Sequence, residues 1–235
     1  MPRDGVIPEA LDLDGRSVPL AVKWNERARR LTVTVDHTLR QVRLVLPRHV
    51  GLDEGLAFCA RNGDWIVNNL ARLPPPVPFA HGSLLPILGE THEVEHRPDA
   101  RRGVWQEPGR LCVSGQEEHL ARRLADFLRS LALEQVQMLV KEKAAQVGRQ
   151  VRRVTLRESR TRWGSCTPSG DLSFCWRLLF APQAVFDYVV AHEVAHLVHL
   201  NHSQRFWKLC QRLAGDTAGP RRWLVRHGQT LWRYG

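Results

Sequence analysis

Five residues able to do chemistry stand close together near the end of this 235-residue chain. His192, Glu193 and His196 spell H-E-x-x-H, and His199 and His202 follow. The stretch that carries them, from Val185 to Leu200, is otherwise nearly all apolar, and a helix apolar on every side is a buried one. Imidazoles and a carboxylate are costly to bury without partners, and a metal ion would satisfy them together. At about 100° per residue, His196 stands roughly 40° round from His192 and one turn along, so both rings can face one ion. Glu193 lies about 100° from His192, near enough to take a proton from an attacking water without being a ligand. Two helical histidines, a glutamate base and a third ligand from elsewhere make a zinc-hydrolase arrangement.

The third ligand has few sources. After Glu193 the chain has no further Glu, and its one Asp is Asp216, so a downstream helical glutamate is excluded. His199 shares the helical face of the pair, but it stands about 10 Å along the axis from His192, which makes a row of rings rather than a tetrahedron. His202 is out of reach if the helix continues. It comes within reach if the chain turns sharply first, and Asn201 tolerates the left-handed conformation of such a helix end. His192, His196 and His202 then take the ligand spacing of H-E-x-x-H-x-x-G-x-x-H metalloproteases, with His199 in the place of the glycine. The expectation is a site of His192, His196 and His202 with Glu193 as base, and His199 at its rim. Tyr188, one turn before His192, is expected in the core or behind the ligands.

The elements that position this site can be read in order. Val18, Leu20, Val22 and Trp24 alternate with polar residues, as do Leu31, Val33 and Val35, then Val42, Leu44 and Leu46. Such runs predict antiparallel strands with one buried face. Leu56, Cys59, Ile66 and Leu70 fit a helix over 52–73 that Gly63 weakens, and Pro74, Pro75, Pro76 and Pro78 then mark a linker. Further strands are expected at 87–94, 104 and 111–113, followed by a long helix over 116–147 with Leu120, Leu124, Phe127 and Leu131 as its core stripe. A strand at 154–158 precedes Arg160, Arg162, Trp163 and a turn at 167–170, and Leu172, Phe174 and Trp176 alternate beyond it. This predicts a hairpin just before the metal helix, whose edge could hold an extended substrate. Arg160 and Arg162 are placed there to bind a carboxylate or phosphate, or to pair with structural acids. After His202, Phe206, Trp207, Leu209 and Leu213 predict a helix packing back on the core. No internal repeat is evident.

Composition bounds the answer. With 43% hydrophobic residues the chain can build a core, and no apolar run is long enough for a membrane span or a signal region. Five cysteines, odd in number and without a C-x-x-C pair, point to a reducing cytoplasmic setting and to core roles, although Cys166 and Cys175 flank the hairpin. The net charge is +10. From Ser203 onward Arg205, Lys208, Arg212, Arg221, Arg222, Arg226 and Arg233 face Asp216 alone, which makes that end the candidate surface for DNA contact.

Three stretches carry a resemblance: R-T-R-W-G-S-C-T at 160–167, D-Y-V-V-A-H-E-V-A-H at 187–196 and N-H-S-Q-R-F-W at 201–207. With V-K-W and R-R-L-T-V-T-V near the start, W-I at 65–66 and I-L-G at 87–89, the chain resembles the YgjP-like metal-dependent hydrolases over nearly its whole length. Those are related to SprT/Spartan-type and WLM zinc metallopeptidase domains. The resemblance implies one catalytic zinc ion on His192, His196 and His202, Glu193 as catalytic base, and a peptide or protein substrate. The fold class expected is α+β: a tail over 1–15, an antiparallel β-rich region over 16–115 with one helix at 52–73, and a zincin-like hydrolase domain over 116–235 built on the H-E-x-x-H helix. The function expected is a zinc metallopeptidase. Its rivals are a metal-dependent nucleotide or phosphoester hydrolase, against which stands the lack of a Gly-rich phosphate loop, and a DNA-associated protease.

Overall fold

Asp14 and Gly15 decide how the chain begins. Both take left-handed backbone conformations, with φ of 53° and 77°, the two-residue turn that closes a tight hairpin. The computed structural model, which describes residues 7–36, 39–159 and 161–235, pairs β1 (Ala10–Leu13) antiparallel to β2 (Arg16–Trp24) across this turn. Part of the expected tail is therefore a strand. Leu11 and Leu13 are buried in it, and the Asp-Gly pair between two apolar runs was the signal for it. Residues 1–6 lie outside the described residues.

β3 (Thr32–Asp36) and β4 (Gln41–Leu46) complete a four-stranded sheet in the order β1-β2-β4-β3. The expectation of purely antiparallel strands fails here, because β2 and β4 run parallel, Leu20 beside Val42 and Trp24 beside Leu46. Segment 25–31 carries the chain outward, β3 turns back as a hairpin on the rim, and β4 enters beside β2 in the same direction. Alternation reports which face is buried and not which way a neighbour runs. The expected helix over 52–73 is two, α1 (Leu52–Arg61) and α2 (Gly63–Ala71), broken at Asn62. Cys59 and Ile66 enter the core with Leu44 and Leu46, while Trp65 stays exposed.

The same layout then recurs. β5 (Leu84–Ile87), β6 (Glu90–Arg97), β7 (Val104–Glu107) and β8 (Arg110–Ser114) form a sheet in the order β5-β6-β8-β7, again with the second and fourth strands parallel. Its first hairpin closes on Leu88 and Gly89, with φ of 51° and 97°. A topology is repeated although no sequence repeat is visible. A 3-10 turn at Glu117–His119 leads into α3 (Leu120–Gln146). Its buried stripe runs Leu120, Leu124, Leu128, Ala132 and Val136; Phe127 and Leu131, expected in the stripe, sit at its margin, partly buried.

β9 (Arg153–Arg157), β10 (Gly164–Cys166) and β11 (Asp171–Cys175) form a third sheet in the order β10-β11-β9. β10 and β11 are the expected hairpin, and β10 is an edge strand. α4 (Gln183–Ala195), α5 (Gln204–Ala214) and α6 (Ala218–His227) follow, then a 3-10 stretch to Arg233. Arg177, stacked between Trp176 and Trp232, holds Glu158 and donates to the carbonyl of Tyr234, so the chain end is fastened beside the third sheet.

The fold is thus mixed α and β, with three small sheets and six α-helices among the described residues. It divides into two compact units at Pro75–Pro76, within the proline run, whereas the expected regions met at 115–116. β5 to β8 lie in the second unit because Leu85, Val94 and Leu111 share a core with Leu120 and Leu124 of α3. Among the described residues no helix is long and apolar enough to cross a membrane.

Candidate metal centre

α4 is buried nearly all round: Val185, Phe186, Tyr188, Val189, Val190, Ala191, Val194 and Ala195 all leave the solvent. Such a helix is placed by what grips it. At its start the Leu88 turn gives its carbonyl to the backbone N–H of Gln183 (3.1 Å) and its own N–H to Leu179 (2.8 Å). Gly89 at this turn takes the left-handed conformation that favours glycine, with φ of 97°, and packs against Pro182. The I-L-G stretch is therefore the seat of the metal helix. On its flank, buried Lys143 of α3 pairs with Asp187 (2.7 Å) and donates to the carbonyl of Leu213 at the end of α5 (2.9 Å). Sequence reading overlooked this lysine, since one cation inside an amphipathic stripe looks like a solvated one.

α4 ends earlier than expected. It is regular through Ala195, and i→i+3 bonds from Leu197 to Val194 and Val198 to Ala195 tighten the exit. Asn201 takes no left-handed conformation, for it is absent from the positive-φ residues; the turn is made before it. The chain then reverses into α5, where the Ser203 side chain caps the N–H of Phe206 (3.4 Å).

This reversal brings His202 to His192 and His196. One ligand-type nitrogen from each of the three lies within 4.8 Å of the others, and the Nε2 atoms of His192 and His202 are 3.1 Å apart. Two nitrogens on one tetrahedral zinc ion, each at about 2.05 Å, would be about 3.3 Å apart. The electrostatics also favour neutral ligand-ready rings. Burial first, then His196, His202 and Arg221, push His192 down to about 4; burial also lowers His196. His196 Nδ1 contacts the His199 carbonyl at 2.9 Å. That carbonyl can only accept, so Nδ1 carries the proton and Nε2 keeps a lone pair. His192 Nδ1 is buried without a hydrogen-bond partner among the described residues, so nothing there competes to set its tautomer. The donor set fits a metal ion.

Glu193 is 6% exposed and lies against the edge strand. A Cβ on Gly164 would sit 2.6 Å from Glu193 Cγ and Oε1, so the glycine of the R-W-G-S-C stretch is what lets β10 approach. Burial pushes the Glu193 carboxyl up to about 7, with Arg162 pulling the other way. Arg162 is thus the nearby cation, while Arg160 lies outside the described residues. Cys166 and Cys210 are both pushed up to about 11, by burial first and then by Glu193, and all five cysteines are free.

Of the remaining residues, His199 contributes its carbonyl to the site, and its side chain lines a separate cleft with Arg205, Lys208 and Arg212. Tyr188 is buried, its ring 5.9 Å from that of His192. Trp207 stacks on His202 at 5.6 Å, a contact that spacing alone does not announce.

Among solved structures, the chain is similar to the metallopeptidase zymogen of Pyrococcus abyssi abylysin, at 19% identity over 39% of this chain and 93% of that one, with a TM-score of 0.35. No curated protein sequence matches it. A family model, the YgjP-like metallopeptidase domain, matches residues 29–227. That is most of the chain, and the protein therefore belongs to the YgjP-like metallopeptidase family.

Proposed function

We propose that the protein is a zinc-dependent peptidase of the cytoplasm in which His192, His196 and His202 hold the ion and Glu193 is the general base, within a zincin-like domain built on the H-E-x-x-H helix. The observation that carries this is the convergence of three imidazole nitrogens, 4.8 Å or less apart, beside a buried glutamate. A set of three nitrogens suits zinc better than a hard cation. Three protein ligands rather than four leave a coordination position open, the mark of a catalytic and not a structural site. When bound, the ion supplies Lewis acidity, polarising the scissile carbonyl and acidifying water.

The chain's own groups do the rest. The His199 carbonyl holds His196 in the tautomer that presents Nε2. The Glu193 carboxylate takes a proton from the water that attacks the carbonyl carbon and delivers it to the leaving amine nitrogen as the C–N bond breaks. Burial raises the basicity of that carboxylate, which favours its taking the proton. Arg162 favours the ionised form of Glu193 before attack. The open edge of β10 beside Glu193 offers main-chain hydrogen bonds to an extended peptide. Five free thiols, four of them buried, suit a reducing compartment.

The test is a peptide-cleavage assay on wild type and Glu193→Gln. Cleavage by wild type, with zinc kept and turnover lost in the variant by roughly a hundredfold or more, is the expected result. Full activity in Glu193→Gln removes the mechanism.

A further inference from the structure

Trp207 has the metal site on one side and a cleft on the other. Its ring stacks on His202 at 26° and lies 5.9 Å from the ring of His192. The Arg221 guanidinium lies over the same indole, 5.4 Å from a ring centroid. Beyond it α5 and α6 line an open cleft of about 660 Å³, inside the range of roughly 300–1,000 Å³ usual for ligand sites. Trp207 and Val225 supply its apolar lining, and Arg221, Arg222 and Arg226 its charge. No acidic residue lines it. Val225 is 82% exposed, an apolar side chain held out beside the arginines.

Some arginines of the molecule are ion-paired. Arg97, Arg152 and Arg177 each hold a carboxylate. Among the described residues no ion pair engages Arg221, Arg222 or Arg226. The nearest acid in sequence, Asp216, accepts from the N–H groups of Ala218 and Gly219 at the start of α6. Arg222 and Arg226 are also four residues apart on one helix, a like-charge spacing that costs the helix a few tenths of a kcal/mol. Three guanidinium groups without a carboxylate partner stand beside Trp207 and Val225, one ring from the candidate metal ligands, and suit an anionic group that arrives with the substrate. A planar carboxylate meets a guanidinium fork in two hydrogen bonds. A duplex backbone offers phosphates alone, whereas here the apolar side chains of Trp207 and Val225 stand among the charges and suit an occupant with an apolar part.

We infer that the cleft between α5 and α6 is a specificity subsite for an acidic peptide segment, in which an Asp or Glu of the substrate pairs with Arg221 and Arg222 while an apolar neighbour lies on Trp207 and Val225. This rests on the peptidase reading for the nature of the occupant alone.

Binding tests it apart from turnover. Glu193→Gln protein is titrated by fluorescence anisotropy with a labelled peptide alternating Glu and Leu, with its Gln-for-Glu twin, and with a DNA duplex. The acidic peptide is expected to bind at least about tenfold tighter than its twin, or ~1.4 kcal/mol, with the advantage shrinking as salt rises. Arg221→Gln with Arg222→Gln abolishes the advantage, as does Val225→Glu, a change at an exposed position that leaves folding intact. Arg122→Gln, on α3, keeps it. Equal binding of the twin, or an advantage that survives both cleft variants, overturns the proposal. So does a duplex that binds through these arginines more tightly than the peptide. If wild type cleaves neither peptide yet the acid preference holds, the cleft stands and the peptidase reading falls; cleavage without preference is the reverse.

Discussion

Glu193 is a carboxyl group in the wrong solvent, and that has a measurable sign. Burial raises it from 4.5 to about 7. In metal-stripped protein between those values the folded state keeps a proton that the unfolded chain has lost. This contribution to stability is complete below about pH 4.5 and is lost as pH rises through about 7. His192, pushed down to about 4, gives the opposite slope, so the difference between two proteins isolates the glutamate. Stripped Glu193→Gln is expected to gain on stripped wild type as pH rises, reaching about 3 kcal/mol above pH 7. A difference independent of pH in denaturant melts would contradict the burial. Gly164 gives a second prediction. A methyl group there would displace Glu193 while leaving the three histidines alone, and a misplacement of about 1 Å can cost a hundredfold in rate. Gly164→Ala should keep its metal and lose turnover on that scale; unchanged kcat would show that Glu193 tolerates the shift. The grouping of His192, His196 and His202 was legible because helical period and ligand count are written in the spacing. The roles of Gly164 and of the His199 carbonyl were not, since a backbone atom's contact leaves no trace in residue type.

At the scale of elements, the site depends on how α4 is held. Lys143 is 3% exposed and satisfies both Asp187 and the carbonyl at the end of α5. Truncating one member of a buried pair costs about 3–5 kcal/mol, and the Asp187 side chain, 24% exposed, sets the cost here at the low end. Lys143→Ala is therefore expected to lower unfolding free energy by about 3 kcal/mol; a change under about 0.5 kcal/mol in urea melts would show that the pair holds nothing. α4, α5 and the β10–β11 hairpin were readable because each has a strong apolar pattern or an evident turn. β1 was lost among charged neighbours despite its Asp-Gly turn. The parallel partners of β2 and β4, and of β6 and β8, cannot be inferred from alternation, which is the same for either direction. In α3 the fourth-residue repeat from Leu120 to Val136 was displaced towards Phe127 and Leu131, since large apolar residues beside a stripe look like members of it.

In the whole molecule, the two compact units have separate cores. One runs from Leu11 to Leu70, and the other two clusters lie between Val77 and Tyr234. Val77 also pairs with the chain end, its N–H bonded to the Arg233 carbonyl at 2.7 Å. A fragment of residues 76–235 is therefore expected to fold cooperatively and to bind metal as the full chain does; a fragment without a thermal transition would place part of its stability in residues 1–75. The proline run is readable in the sequence as a linker, whereas the core that the second sheet shares with α3 is a long-range contact that residue type does not report. The central claim is a single open centre on three histidines, and bound zinc by elemental analysis tests it most directly. Wild type and His199→Ala are expected to carry about one zinc per chain, as a single site of three protein ligands requires, and His202→Ala to carry almost none. Zinc that persists in His202→Ala and leaves with His199→Ala, or a wild type that binds none, would contradict the account.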